Sequence, residues 1–341
     1  MKGAFKLFFV AVVSVALLGA CSSRKQSALT LRVGFFPNIT HSQALIGLSR
    51  GDFRAALGPS VSIDAKAFNA GPSVIEALFA GQIDLSYIGP NPAINGYVKS
   101  KGAALRVIAG AVSGGAALVV REDSGIDIPS DMAGKTIATP QLGNTQDVAL
   151  RGFLKSIGLS PRENGGTVNV QPMENPTILD AFRQKRIDGA WVPEPWASRL
   201  ELEGNGRLLI DERTLWQDGR FTAALLIVSK EFLDKHPDTV KAWLRAHVRI
   251  TQWEIAHPEE AILAANAEIK RLTGKALSNE VLRRAWSRMQ PTFDPLTSTL
   301  QKSSDSAFAA GFLKERPDLS GIADLSLLNM VLAEEGLPGV R

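Results

Sequence analysis

Between residue 29 and about residue 210, short apolar runs alternate with longer stretches in which apolar positions recur at helical spacing. Residues 31–35, 61–67, 83–88, 106–111 and 116–120 read as strands. Residues 40–50 read as a helix, opened by a Thr40-x-x-Gln43 capping box and stopped by Gly51. Residues 72–80 read as a second helix. Asn91-Pro92 opens a third, with Asn91 as N-cap and Pro92 at the first helical position. This order predicts an α/β protein with largely parallel sheets. From Phe221 the texture changes. One more strand, 222–229, precedes a mainly helical region in which Val240, Trp243, Leu244, His247 and Val248 recur at helical spacing, continued by 261–271, 279–289 and 325–334.

The pattern also repeats itself with a shift of 104 residues. Pro72-Ser73-Val74-x-x-Ala77-Leu78 is echoed by Pro176-Thr177-Ile178-x-x-Ala181-Phe182, and Ile83-Asp84-x-x-Tyr87-Ile88 by Ile187-Asp188-x-x-Trp191-Val192. The same shift carries Val33 onto Ile137 and the helix start at Thr40 onto Asn144. Either the echo is the chance likeness that any two βα units share, or the chain folds into two similar lobes with strand ends that face a shared cleft, where open α/β sheets bind ligands.

The first 28 residues belong to neither lobe. Lys2 and Lys6 precede a 14-residue, mostly apolar run, 7–20, which is too short to span a membrane and fits a signal sequence. It ends in Leu18-Gly19-Ala20-Cys21, which resembles a bacterial lipobox; that implies cleavage before Cys21, lipidation of its thiol and a short tether over 22–28. Cys21 is the only cysteine, which excludes a disulfide framework and multi-cysteine metal sites. Net charge is +4 over 341 residues, and two of the lysines lie in the leader. With no basic run, this is a poor footprint for nucleic acid.

Three helix starts after strands carry small polar residues: Asn38-Ile39-Thr40-His41, Gly89-Pro90-Asn91-Pro92 and Gly143-Asn144-Thr145-Gln146-Asp147. Unpaired N–H groups and the positive end of the helix dipole bind anions without Lys or Arg. Each alone also reads as a plain N-cap. Trp191-Val192-Pro193-Glu194-Pro195-Trp196 occupies the echo position of Gly89 to Pro92. Either its indoles wall a pocket while Glu194 accepts from a ligand, or it closes the core of the second lobe. His41 either donates to a ligand or decorates its helix. His236, His247 and His257 fall on the later helices, and no zinc site, nucleophile elbow or phosphate loop is present in the sequence. No cofactor and no catalytic activity are expected.

Gly34-Phe35-Phe36-Pro37-Asn38-Ile39-Thr40-His41, Gly71-Pro72-Ser73 with Glu76-Ala77-Leu78 and Gly81-Gln82-Ile83-Asp84, Leu142-Gly143-Asn144-Thr145-Gln146-Asp147, and Asp188-Gly189-Ala190-Trp191 with Glu194-Pro195-Trp196 form an ordered set. This set resembles the sulfonate/taurine/nitrate group of ABC-transporter substrate-binding proteins. The resemblance implies a type II periplasmic-binding-protein fold: two similar α/β lobes around a ligand cleft, joined by crossover strands near 112–116 and 220–224, with a helical C-terminal region. Lobe 1 would comprise 29–113 and 224–341, and lobe 2 114–223, after a signal peptide at 1–20 and a tether at 21–28. By the same resemblance Asn38, Thr40, His41, Gly89 and Asn91 would line one lobe. Gly114, Gly115, Asn144, Thr145, Gln146, Glu194 and Trp196 would line the hinge and the other. Members of the group often carry serines where this chain has Asn144-Thr145-Gln146.

The implied role is an exported, lipid-anchored monomer of the periplasm or cell surface that captures a small oxyanion or zwitterion and delivers it to a membrane permease and its ATPase. Two alternatives share the fold. One is a binder of a thiamine-precursor-like pyrimidine, stacked on Trp191 or Trp196 and paired with Glu194. The other is a pyrimidine-synthase-like enzyme, whose cysteine-rich iron site has no counterpart here.

Overall fold

The computed structural model describes residues 29–341; the leader, the lipobox and Cys21 lie outside the described residues. Its strands are β1 (Leu29–Phe35), β2 (Val61–Ala67), β3 (Leu85–Ile88), β4 (Leu105–Gly114), β5 (Ala116–Arg121), β6 (Thr136–Thr139), β7 (Asn169–Pro172), β8 (Gly189–Pro193), β9 (Gly206–Asp211), β10 (Thr222–Ser229) and β11 (Met289–Pro291). They form a six-stranded sheet, β11-β4-β10-β3-β1-β2, and a five-stranded sheet, β7-β6-β8-β5-β9. The chain passes from the first sheet to the second at Gly114–Ala116 and returns between Asp211 and Thr222.

The central strands of both sheets are apolar on both faces, as strands covered by helices on each side must be. In β10, Leu226 and Val228 join one core while Leu225 and Ile227 join the other. In β5, Leu118 and Val120 point one way and Ala117 and Val119 the other. A period-two pattern with apolar residues in both phases leaves neither face for water.

The sheets are mixed, not largely parallel. The βα units pair in parallel, β1 with β2 and β3, and β6 with β7 and β8. β10 lies antiparallel between β3 and β4, and β5 antiparallel between β8 and β9. These two are the strands that arrive from the opposite lobe. Each enters its sheet against the direction of the βα units. β11 and the helix Thr297–Ala309 were not legible in the pattern; β11 takes Met289 out of the preceding helix, which ends at Ser287.

The 104-residue echo is structural. The helices Gly71–Phe79 and Asn175–Arg183 are related by that shift. So are two brackets that tie a strand start to the preceding turn. Asp84 accepts from the Arg32 N–H at 2.8 Å and returns its own N–H to the Arg32 carbonyl at 2.9 Å. Asp188 does the same with Thr136, at 2.8 Å in both directions. Arg32 and Arg121 add charge-assisted bonds to the two carboxylates.

Lobe 1 also buries a polar seam beneath its first helix. Tyr87 and the Gly110 carbonyl hold the His247 ring between them, at 3.0 and 2.8 Å. Glu254 is fully buried, accepts from the Ser42 hydroxyl at 2.8 Å, and burial pushes its pKa from 4.5 up to about 8. Between those values the fold retains a proton that the unfolded chain has released, so stability falls as pH rises through that window. Unfolding curves of Glu254→Gln and the parent chain should therefore diverge from pH 5 to pH 8, with the variant relatively more stable toward the alkaline end; parallel curves would refute the assignment.

Candidate functional site

Six strand ends meet at the seam between the lobes. Loops after β1 and β2 supply Asn38 and Asn69, and the turn after β3 supplies Gly89; loops after β6, β7 and β8 supply Gln141 to Gln146, Glu174 and Trp196. Trp196 Nε1 donates to Asn38 Oδ1 at 2.9 Å, Asn69 Nδ2 to Glu174 Oε1 at 2.6 Å, and Gln141 Nε2 to Ser73 Oγ at 3.3 Å. At Gly89 the lobes approach closely: a Cβ there would lie 2.3 Å from the Thr145 side chain at Oγ1.

The lobes hinge on Gly114 and Gly115, whose φ values of +75° and +80° lie in the left-handed region that favours glycine. The Gly115 N–H donates to the Arg288 carbonyl and its carbonyl accepts from the Glu194 N–H, both at 2.8 Å. A Cβ on Gly115 would stand 3.1 Å from Thr40 Cγ2, which places Thr40 against the hinge. Arg288 then reaches across to lobe 2, 3.1 Å from Glu194 and 2.8 Å from Glu201.

Several expected roles change once the long-range partners are visible. Thr40 does not cap a helix. The segment Ile39–His41 is a 3-10 turn, and the α-helix Ser42–Arg50 follows it. Gln43 sends its amide to the Ala111 carbonyl at 2.7 Å instead of back to Thr40. Asn91 is not an N-cap either. Its helix starts at Pro90 after Gly89, and its amide holds the Ser303 carbonyl at 2.9 Å.

His41 is buried, stacks on Phe36 at 4.3 Å and accepts the Phe36 N–H on Nδ1 at 3.2 Å. Burial lowers its pKa to about 3. It is therefore a neutral ring with its proton on Nε2, not a cation awaiting an anion.

Glu194 is fully buried, and burial raises its pKa although Ser198 and Arg288 oppose the shift. Both oxygens are taken, Oε2 by the Ser198 N–H at 3.0 Å and Oε1 by the Ser198 hydroxyl at 3.0 Å and Arg288 at 3.1 Å. The carboxylate is thus tied to Ser198 and Arg288 with no exposed surface. Trp191 is core; its indole donates to Glu212 at 2.8 Å.

Asn144 does cap its helix, Thr145–Ser156, accepting from the Asp147 N–H at 2.8 Å, while its Nδ2 donates to Gln146 at 3.1 Å. Asp147 is buried beneath them, bound by Thr139, the Gly143 N–H and Arg151. Thr145 Oγ1, Gln141 Oε1 and Asn175 Oδ1 are buried on this side of the seam without hydrogen-bond partners. The usual rule is that buried polar atoms are paired.

Sequence reasoning missed Asn69, Ser73, Gln141, Glu174, Asn175 and Arg288. For Asn175 the signal was present, since the echo puts a proline-opened helix start there. Arg288 carried none, being 94 residues from Glu194. Among the described residues no group of His, Cys, Asp and Glu side chains is placed to hold a metal ion.

Two α/β lobes joined at a glycine hinge, with strand ends meeting at a polar seam, define the periplasmic-binding-protein fold. The profile of the NMT1-like family matches residues 24–269, and the chain belongs to that family. The taurine-binding periplasmic protein of Escherichia coli (strain K12) is 30% identical over 213 residues; the match spans 62% of this chain and 63% of that protein. A putative aliphatic sulfonates-binding protein of Bacillus subtilis (strain 168) is 23% identical over 342 residues, 98% of this chain and 99% of that protein. Among solved structures, the alkanesulfonate-binding protein SsuA from Xanthomonas axonopodis pv. citri, bound to MOPS, has the same fold. Its TM-score is 0.73 at 22% identity, covering 87% of this chain and 98% of that one.

Gly89→Ala tests whether the seam must close for binding. The added methyl meets Thr145, so ligand affinity should drop about tenfold as the closed state becomes scarcer, while the unfolding midpoint stays near that of the parent. An unchanged affinity would show that the lobes need not approach this closely.

Proposed function

We propose that this chain is the solute-binding component of an ABC importer, exported from the cytoplasm and tethered by a lipid on Cys21. It captures a small oxyanion or zwitterion between its lobes and presents the closed form to the permease. The observation that carries this reading is the start of the helix Thr145–Ser156. Asn144 caps the Asp147 N–H, so the N–H groups of Thr145 and Gln146 have no partner within the helix, and Thr145 Oγ1 is buried beside them unpaired. A sulfonate or nitrate oxygen satisfies all three while sitting at the positive end of a three-turn dipole. The names of the relatives, taurine-binding and aliphatic sulfonates-binding, agree with a sulfonate-type anion. A cationic end on the ligand would meet Glu174, the carboxylate that faces lobe 1 across the seam.

The pyrimidine reading loses two of its supports, since Glu194 and Trp191 both have protein partners. Trp196 remains, with Arg199 over its ring at 4.5 Å.

A thermal-shift panel of taurine, methanesulfonate, nitrate and a hydroxymethyl-pyrimidine separates these readings. A true ligand at about a hundred times its Kd adds about 2.7 kcal/mol, which moves Tm by a few degrees. The expected responders are the sulfonates; a response to the pyrimidine alone would overturn the proposal. Asn144→Ala should cost about 1 kcal/mol of stability through the lost cap and weaken anion binding about tenfold.

A further inference from the structure

The helix Thr145–Ser156 carries a second surface along its flank. Val148, Gly152 and Lys155 fall at i, i+4 and i+7 and so share one face. That face meets the helix Thr297–Ala309, which is fixed to lobe 1: Leu300 and Ala307 sit in the same core as Ile88 of β3 and Leu225 of β10, and Asn91 donates to the Ser303 carbonyl. Val148 is 2% exposed and packs into that lobe 1 core, where it is the only member from lobe 2 among the described residues. Lys155 Nζ donates to the Ala309 carbonyl at 3.4 Å, and Phe312, just past the helix end, lies beside Gly143 and Arg151.

Gly152 stands in the middle of a regular helix, where glycine is a poor helix former. Proximity explains it. A Cβ there would stand 3.2 Å from Ser306 Cβ, tighter than an ordinary van der Waals contact. The anion-binding start and this flank belong to one rigid helix, so opening the hinge moves both at once. Opening would also return Val148 and Phe312 to water, which gives closure an apolar driving force separate from any ligand.

We propose that the helix Thr297–Ala309 is a clasp that holds lobe 2 against lobe 1. Part of the unliganded chain is then already closed, and ligand affinity is set in part by residues that never touch the ligand. Gly152 and Ser306 are its positioning residues. The inference rests on the reading of the seam as a ligand cleft that opens and closes.

Electron-spin distance measurements test it in a Cys21→Ser chain labelled through Glu76→Cys and Asp180→Cys. These are exposed, equivalent positions on the helices Gly71–Phe79 and Asn175–Arg183 of the two lobes. Without ligand the parent chain should populate a short and a long distance. Gly152→Leu should cut the short-distance share about tenfold, and leucine leaves the helix itself no weaker. Phe312→Ala, half-buried on the lobe 1 side, should shift the distances the same way, and it decides the matter if the leucine variant fails to fold. Taurine affinity should fall by the same factor as the closed share, a proportionality that general damage to the helix would not give. If the unliganded parent shows only the long distance, or shares one distribution with both variants, the clasp is refuted. If the distances differ as expected but neither taurine nor methanesulfonate binds any chain, the clasp stands and the anion reading falls.

Discussion

Gly115 is bonded to both lobes at once. Its N–H goes to the Arg288 carbonyl, on the lobe 1 side, and its carbonyl to the Glu194 N–H, on the lobe 2 side. Only a residue tolerant of positive φ can sit there, and with Gly114 it forms a two-residue left-handed step between β4 and β5. The angle of that step decides where every strand end of lobe 2 falls relative to lobe 1. It brings Trp196 to Asn38 and Thr145 to Gly89. The Arg288 side chain extends the same junction outward, pinning Glu194 and Glu201 so that the turn before Trp196 moves with the hinge.

The contacts across this seam are mostly uncharged: amides, hydroxyls and an indole, with Glu174 as a carboxylate that crosses it and Arg199 and Lys275 lining a cavity beside Trp196. The one histidine near it is kept neutral by burial. The charges close to the hinge, Glu194 with Arg288, spend themselves on each other. Under the proposed function, an anion at the start of the helix Thr145–Ser156 meets fixed dipoles. Dipoles attached to a rigid helix start discriminate by position and shape, since their field falls away within a turn.

Much of this architecture was legible in the chain, and the reasons are local. Alternation in β1, the apolar run of β5, the proline-opened helices at 71 and 175, and the paired Ile-Asp motifs are all short-range patterns, and the repeat doubles the last two. Asp84 and Asp188 show why the repeat persists in sequence: each carboxylate does the same bracketing work for its own strand. The misread positions share the opposite property. Gln43, three residues after Thr40, satisfied the spacing of a capping box, but Ala111 and Thr251 recruited its amide from elsewhere in the fold. Asn91 was recruited by Ser303 and Glu194 by Arg288 in the same way. A polar side chain takes the best buried partner, and spacing along the chain carries no information about a partner two hundred residues away. The mixed sheets follow from the same limitation, because strand direction is set by which lobe a strand arrives from.

The antiparallel insertion of β10 has a consequence for how the chain is made. The strands of lobe 2, β5 to β9, lie in one uninterrupted stretch, so that lobe has everything it needs as soon as Asp211 has left the ribosome. Lobe 1 does not. Its β3 and β4 are held together only through β10, with which β4 shares its longest ladder. Until Ser229 has been synthesised, the first lobe is a sheet with its central strand missing and two apolar edges exposed. The later part of the chain must therefore assemble before the earlier part can close, and the interval between them is when a chaperone or a translocation partner has most surface to hold.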